Sequence, residues 1–169
     1  MSADDCIFCK MVAGQIPCVK VFEDDTVLAF LDIGPISDGH TLVIPKQHFG
    51  KLHDCPGELL SRVCSNLGRI AGAVAKAVNS DGYNLLCNNG RAAGQLVQHV
   101  HFHIIPRNTG DGVFDRWPSY KYESGKIETI ADLIHRNLWF AVIVLDCKFV
   151  LWYLHLVVLS RWSVRTLYW

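Results

Sequence analysis

One short segment constrains the fold of this chain more than any other. His99, His101 and His103 stand at every second position and alternate with apolar residues. Since successive side chains of a strand point to opposite faces, the pattern predicts a strand over 96–105 with an imidazole face and an apolar face. The apolar face needs cover, and apolar residues at helical spacing over 56–78 predict a long amphipathic helix that packs against it.

Three imidazoles on one strand face favour a division of tasks. Alternate residues of a strand lie about 6.5–7 Å apart, so the outer two rings would be about 13 Å apart. The three rings could therefore not all bind one atom. Imidazole serves as nucleophile, hydrogen-bond donor or metal ligand, and we expect the central ring to act while its neighbours assist. From the residues alone, a solvated histidine-rich strand and a purely metal-binding triad are the alternatives.

The remaining pattern predicts further short strands and helices. A hairpin is expected over 19–32 and strands over 40–45 and 83–88, with a helical turn near 6–12 and another helix over 127–138. The fold class is therefore α+β. We expect an antiparallel sheet of about five strands with one long and one short helix, all within a single domain, residues 1–138.

The charge balance limits the kinds of partner. The chain has 169 residues, and its 16 Lys+Arg and 16 Asp+Glu give a formal net charge of +0. Without an overall positive field, duplex nucleic acid is a poor candidate, whereas a small anionic ligand needs only a few local donors. The first residues lack the pattern of a secretory signal, so we expect a cytoplasmic and also nuclear protein whose cysteines are thiols or metal ligands.

The composition changes abruptly after residue 138. Residues 139–159 are almost unbroken apolar sequence, about long enough to span a bilayer, but Asp146 and Lys148 interrupt them at a cost to insertion. For the extension 139–169 we favour a poorly packed segment, including one read beyond the natural end of the protein. A membrane-associated helix over 139–159 and an element that covers the core are the alternatives.

The sequence resembles the histidine triad (HIT) superfamily. The stretch His99–His103 with the following Ile-Ile matches its signature of histidines alternating with apolar residues. Before it, the CIFCK, LAFLDI, GHTLVIPKQH and NNG segments occur in the order typical of the family, and the resemblance covers about 5–118. Within the superfamily it is similar to the Hint branch, and in particular to fungal adenosine 5′-monophosphoramidases. The resemblance implies a homodimer whose two sheets join into one.

The resemblance also implies an activity. Hint proteins hydrolyse purine nucleoside 5′-phosphoramidates to a nucleoside monophosphate, AMP or GMP, and an amine. The central histidine is their nucleophile, which assigns that role to His101 through a nucleotidyl-histidine intermediate. His103 would contact the phosphate, His99 would orient the site, and His40 would support the triad, although an ordinary loop histidine is the alternative for His40.

The implied nucleotide site extends over several segments. Apolar residues would enclose the purine, Asp32 would accept hydrogen bonds from the ribose, and a Gly/Ala loop would approach the phosphate. For the apolar residues the alternative is core packing, and for Asp32 it is a turn or capping role. The full set is Ile7, Phe8, Phe30, Leu31, Asp32, Ile33, Asn88, Gly94, Gln95, Val97, His101 and His103.

One position departs from the branch. Leu96 stands where many Hint proteins carry a hydroxyl residue near the scissile bond, and leucine neither donates nor accepts a hydrogen bond. The substitution bears on protonation of the leaving group and leaves attack by His101 untouched.

A structural zinc site is the remaining expectation. Cys6 and Cys9 form a C-x-x-C pair, and tetrahedral zinc needs two more ligands. The resemblance offers His48 and His99, and unmetallated thiols beside His99 are the alternative. No organic cofactor is expected.

Three other functions stay open. They are a dinucleoside polyphosphate hydrolase, a nucleotide- or protein-binding adaptor with little activity, and a zinc-only structural module.

Overall fold

Within residues 3–114, five short strands form one sheet, and two α-helices accompany it. The computed structural model describes residues 3–114 and 119–138. Its strands are β1 (Lys20–Glu23), β2 (Val27–Leu31), β3 (Thr41–Pro45), β4 (Gly82–Leu86) and β5 (Phe102–Arg107). The helices among them are the short α1 (Ile7–Val12) and the long α2 (Gly57–Ala77). The predicted α+β class with a five-stranded sheet is confirmed.

The order of the strands fixes the place of the histidine segment. All neighbours are antiparallel and the order is β1-β2-β3-β5-β4, so the last strand in the chain lies inside the sheet. His103 of β5 pairs with Leu42 of β3 on one side and with Leu86 of β4 on the other. Because strands flank it on both sides, the backbone of His103 is held firmly in the middle of the sheet.

The central strands β2 and β3 are covered on both faces of the sheet. Along β2, Val27 and Ala29 join the core under α2, whereas Leu28 and Phe30 join the core beside α1. Alternation along a strand sends neighbouring side chains to opposite faces, so an apolar run with every residue inside the protein requires cover on both. Full burial of a Val, Leu or Phe side chain stabilises the fold by about 1.5–3 kcal/mol.

The histidine strand is shorter than the sequence predicts. β5 begins at Phe102, and the chain bends at residues 97–99 instead of continuing as a strand. The Val100 N–H donates to the Phe49 carbonyl at 2.7 Å, so this part of the chain bonds to a loop and not to a neighbouring strand. The prediction that all three histidines share one face of a single strand is therefore wrong for His99 and His101, which precede β5. The predicted apolar contacts of Val100 and Phe102 with α2 are confirmed.

The chain divides into two compact units, residues 1–115 and 116–169. The sheet and both helices lie in the first. In the second, residues 126–138 are helical, which confirms the helix predicted over 127–138. Among the described residues no helix has the length and apolarity needed to cross a bilayer. The predicted extension 139–169 lies outside the described residues, and the domain boundary at residue 138 stays a prediction.

Candidate active site and metal cluster

Two thiols and two imidazoles meet at the start of α1. Cys6 is the N-cap residue of that helix and Cys9 lies in its first turn, whereas His48 comes from the segment after β3 and His99 from the bend before β5. The four ligand atoms all lie within 4.8 Å of one another. The sequence prediction that these four residues form one group is therefore matched by their positions.

The distances within this cluster fit a tetrahedral metal. The Sγ atom of Cys9 lies 3.3 Å from Nδ1 of His48 and 3.5 Å from Nδ1 of His99, and the two Nδ1 atoms are 3.3 Å apart. With Zn–S near 2.3 Å and Zn–N near 2.0–2.1 Å, a regular tetrahedron has S···N edges of about 3.5 Å and N···N edges of about 3.3 Å. The donor set and its spacing suit Zn²⁺.

His99 is oriented by a carbonyl behind it. Its Nε2–H donates to the Pro45 carbonyl at 2.9 Å, which leaves the lone pair on Nδ1 facing the thiols. An outer hydrogen bond of this kind fixes the tautomer of a metal-binding imidazole. Burial lowers the pKa of His99 to about 4, and burial together with the Cys6 thiol raises the pKa of Cys9 to about 11. A bound cation would favour the thiolate, which is the form that ligates a metal.

His101 presents a free ring nitrogen. Its Nδ1–H donates to the backbone carbonyl of His99 at 2.6 Å, so the lone pair of the neutral ring is on Nε2. Among residues 3–114 and 119–138, no hydrogen-bond partner faces Nε2. Burial lowers the pKa of His101, which keeps the ring neutral and its lone pair available at neutral pH.

A chain of hydrogen bonds sets the tautomers of the other two histidines. The Ile36 N–H donates to Nδ1 of His40 at 3.2 Å, so the proton of neutral His40 is on Nε2. That N–H donates to Nδ1 of His103 at 3.0 Å, and the proton of His103 is then on its own Nε2. His101 thus offers a lone pair and His103, whose ring centre lies 4.9 Å from that of His101, offers a donor.

The rings of His40 and His103 are both neutral at physiological pH. Burial lowers the pKa of His40, and burial with the neighbouring rings of His101 and His40 lowers the pKa of His103 to about 4. A neutral His40 is what the hydrogen-bond chain requires, because a protonated Nδ1 could not accept from Ile36.

These rings line a cavity of about 400 Å³. Phe8 and Phe30 form part of its wall and contact each other edge to face, with ring centres 5.6 Å apart. The cavity contains every predicted nucleotide-site residue except Gln95. Other residues that the sequence analysis did not assign to the site also line it: Met11, Pro17, Cys18, Leu42 and Leu96. The sequence analysis singled out Leu96 as a departure near the scissile bond, whereas Met11, Pro17, Cys18 and Leu42 are apolar or small side chains that no sequence signal distinguished from core.

The structure shows a second task for Asp32. Its Oδ1 accepts the Gly34 N–H at 2.9 Å, which is the turn role that the sequence left as an alternative, and its Oδ2 lies 3.6 Å from Nδ1 of His40. The carboxylate also lines the cavity. Turn formation and ligand binding are therefore compatible at this residue.

The sequence matches a known domain family and several named relatives. Residues 13–110 match the HIT domain family. The chain is 48% identical over 134 residues to adenosine 5′-monophosphoramidase hnt1 of Schizosaccharomyces pombe, an alignment that covers 79% of this chain and 98% of that protein. It is also 48% identical over 108 residues to adenylylsulfatase HINT3 of Arabidopsis thaliana, covering 64% of this chain but only 55% of that longer protein.

Solved structures of HIT family proteins have a similar fold. A HIT family protein from Bacillus anthracis is 45% identical with a TM-score of 0.74, covering 80% of this chain and 99% of that one. A zinc-bound histidine triad family protein from Mycobacterium smegmatis is 38% identical with a TM-score of 0.63, covering 80% and 99%. Relatives named as an adenosine 5′-monophosphoramidase and an adenylylsulfatase place the domain among nucleotide hydrolases. The chain belongs to the HIT family.

Proposed function

We propose that this protein is a hydrolase of purine nucleoside 5′-phosphoramidates, with His101 as its nucleophile. The observation that carries the proposal is the pair of complementary nitrogens in one cavity: an unshared electron pair on Nε2 of His101 beside an N–H on Nε2 of His103. Such a pair is suited to attack on a phosphorus atom while the phosphoryl oxygens are held. Relatives named as adenosine 5′-monophosphoramidases support the substrate class.

The reaction takes two displacements. In the first, the Nε2 lone pair of His101 forms a bond to phosphorus as the bond from phosphorus to the leaving nitrogen breaks. The amine departs with its electron pair and takes a proton from solvent, because Leu96 carries no donor. The charge that develops on the ring is stabilised by the hydrogen bond from Nδ1–H to the His99 carbonyl.

In the second displacement a water oxygen attacks the phosphorus from the cavity. The bond between phosphorus and Nε2 breaks, the lone pair returns to the ring, and the water proton passes to solvent, giving the nucleoside monophosphate. Two smaller barriers replace one large barrier. The His40 hydrogen bond keeps the proton of His103 directed at the phosphoryl oxygens throughout both steps.

Adduct mapping tests the proposal. The protein is mixed with a labelled adenosine 5′-phosphoramidate, quenched in a denaturant without acid, and digested for mass spectrometry. A nucleotidyl group on His101 supports the mechanism. A dinucleoside polyphosphate serves as the parallel substrate, and faster cleavage of it would overturn the substrate assignment.

We further propose that the cluster of Cys6, Cys9, His48 and His99 holds a structural zinc ion. The metal would link the start of α1 to the segment that leads into β5, and it would supply no step of the reaction. The tetrahedral edge lengths carry this proposal, and metal analysis of the purified protein tests it: about one zinc per chain is expected.

We also propose that the protein forms a homodimer. β4 is an edge strand, and it exposes Tyr83 and Leu85 by 44% and 45%. Unpaired strand edges with apolar side chains favour pairing with another chain. Light scattering on the intact protein is expected to give twice the chain mass, and Leu85→Lys is expected to reduce it.

A further inference from the structure

A second cavity lies beside the long helix α2. It is a groove of about 490 Å³ between this helix and the edge strand β1, and it shares Leu31 with the cavity of the catalytic rings. Its helical wall is one stripe of side chains, formed by Arg69, Ile70, Ala73, Val74, Ala77 and Val78. A helix rises about 1.5 Å per residue, so the stripe from Arg69 to Val78 is about 13 Å long. The groove is therefore elongated along the helix axis.

The opposite wall of this groove comes from β1. The pairing of β1 with β2 shifts between Lys20 and Phe22, so Val21 is the extra residue of a β-bulge. A bulge re-aims side chains, and Val21 and Phe22 accordingly line the same groove although they are neighbours in the chain. Val21 and Leu31 are 46% and 36% exposed, so water reaches apolar side chains along the groove. An apolar groove of this size is a common form of ligand site.

Backbone atoms close the groove at the C-terminal end of the stripe. Gly39 lines the groove with a positive φ. A Cβ atom at this position would lie 2.8 Å from Cγ1 of Val78 and 3.4 Å from Cγ1 of Val74. The Gly39 backbone therefore packs directly against the two valines, and the lining at this end is apolar.

Arg69 supplies a cation at the other end of the stripe. Its guanidinium carbon lies 4.6 Å from the centre of the Phe22 ring, and its Nη2–H donates to Oδ1 of Asn66 at 3.1 Å. These two contacts hold the guanidinium group at the groove. Among the described residues, Arg69 is the one charged group that lines the groove, and no carboxylate forms an ion pair with it. Its remaining N–H groups can therefore bind an anion.

We propose that this groove binds a medium-chain aliphatic carboxylate, the anion of a free fatty acid. Arg69 binds the carboxylate, and the alkyl chain lies along the stripe towards Val78 and Gly39. An extended chain of about ten carbons has about the length of the stripe. A single cation at one end of an elongated apolar surface matches this class of ligand in both charge and shape. The site does not depend on the proposed hydrolase, because it takes a different ligand.

A series of ligands of increasing length tests the apolar part of the site. The intact protein is titrated calorimetrically with hexanoate, octanoate and decanoate, each below its micelle concentration, and one site per chain is expected. Each added methylene group is expected to strengthen binding by up to about fourfold, as burial of a CH₂ group does. An affinity that does not rise along the series would overturn the proposal.

Charge-removing variants test the role of Arg69. Arg69→Gln is expected to weaken octanoate binding about two- to fivefold, the range for exposed charge pairs, and to leave binding of uncharged 1-octanol nearly unchanged. Lys76→Gln removes a positive charge from an exposed position of the same helix outside the groove, and it is the matched control. The control is expected to keep both wild-type affinities. The same ratio of octanoate to 1-octanol affinity in Arg69→Gln and the wild type would contradict the proposal.

A blocking variant and a competition experiment test the position of the ligand. Ala73 is exposed on the stripe, and Ala73→Trp is expected to fill the groove and abolish octanoate binding while the circular dichroism spectrum stays that of the wild type. AMP is expected not to displace octanoate from the wild type. Displacement by AMP, or unchanged octanoate binding in Ala73→Trp, would place the fatty anion elsewhere and overturn the proposal. Failure of AMP to bind at all would count against the proposed hydrolase, while the variants would still decide about the groove.

Discussion

Two neighbouring histidines of the segment, His99 and His101, have the same side chain in different surroundings. His99 has both ring nitrogens engaged, one by the Pro45 carbonyl and one by the thiol cluster, and it is fully buried. His101, two residues later, has one nitrogen engaged, and its other nitrogen faces a cavity. The comparison teaches that the role of an imidazole is decided by which nitrogen its surroundings leave free.

The bend before β5 is what separates the two regions. In a continuous strand the three rings would point the same way, and one environment would serve all of them. Because the chain bends at residues 97–99, His99 turns to α1 while His103 stays in the sheet. In the proposed function, a structural task and a chemical task thereby fall to neighbouring residues.

The largest expected effect is the removal of the free nitrogen. We predict that His101→Ala lowers kcat at least about 1000-fold, as loss of a nucleophile does, while AMP still binds. Single-turnover kinetics and calorimetric titration with AMP measure the two properties. His53→Ala, which removes an exposed histidine outside the catalytic cavity, is the control. Turnover near the wild-type rate in His101→Ala would contradict the proposed mechanism.

In the cluster around His99, loss of a proposed metal ligand is expected to affect stability before activity. We predict that Cys9→Ser loses bound zinc and several kcal/mol of stability, because metal binding and folding are coupled. Chelator treatment of the wild type is expected to lower Tm in the same direction. Cys64→Ser, at an exposed thiol, supplies the comparison. A variant that lacks zinc yet keeps the wild-type Tm would remove the structural role from the cluster.

The hydrogen-bond chain gives a third test, on the catalytic side. His40→Ala removes the acceptor of the Ile36 N–H and the donor to His103, so the tautomer of His103 is no longer fixed. We predict a 10- to 100-fold loss of kcat, about the effect of losing an outer-sphere partner, with a smaller change in KM. His40→Gln, which can both accept and donate, is expected to recover part of the rate. Equal rates in Ala and Gln variants would argue against positioning.

Asp32 gives a fourth test, since it combines a turn with the cavity. Asp32→Ala is predicted to weaken nucleotide binding by about 1–3 kcal/mol if the ribose hydrogen bond is lost. Asp32→Asn keeps an oxygen for the Gly34 N–H and separates the two roles. A 2′,3′-dideoxy ligand should bind Asp32→Asn and the wild type alike. If it still distinguishes them, the carboxylate does not act on the ribose.

The smallest expected effect is on stability in acid. The pKa of His103 is lowered to about 4, below its ordinary 6.5, so the unfolded chain binds more protons between those values. Stability is therefore predicted to fall as the pH drops from about 6.5 towards 4. Urea unfolding across this range should show a weaker decline in His103→Asn, whose side chain does not titrate. An equal decline in both would assign the effect to other groups.

The sequence predicts the class of fold and the family because those depend on local patterns. The period-two run at His99–His103 and the helical spacing over 56–78 identify β5 and α2, and the structure confirms both elements. The predicted start of β5 was wrong, because the hydrogen bond between Val100 and Phe49 is a long-range contact that leaves no local signal in the sequence. The same reason explains Gln95, whose buried amide joins two loops instead of lining the nucleotide cavity.

Ring tautomers were also beyond prediction. The proton positions on His40, His101 and His103 follow from the Ile36 amide and the His99 carbonyl, and backbone groups of this kind leave no trace in residue identity. Pocket residues such as Met11 and Leu42 likewise have the appearance of ordinary core in the sequence. Sequence reasoning therefore named the candidate side chains, whereas the structure was needed to orient them.

Stereochemistry at phosphorus tests the central claim most directly. A substrate made chiral at phosphorus by sulfur and isotopic oxygen is hydrolysed, and the configuration of the product is determined. Two displacements through Nε2 of His101 predict overall retention. Inversion would mean that water displaces the amine in a single step, and it would contradict the assignment of His101 as nucleophile.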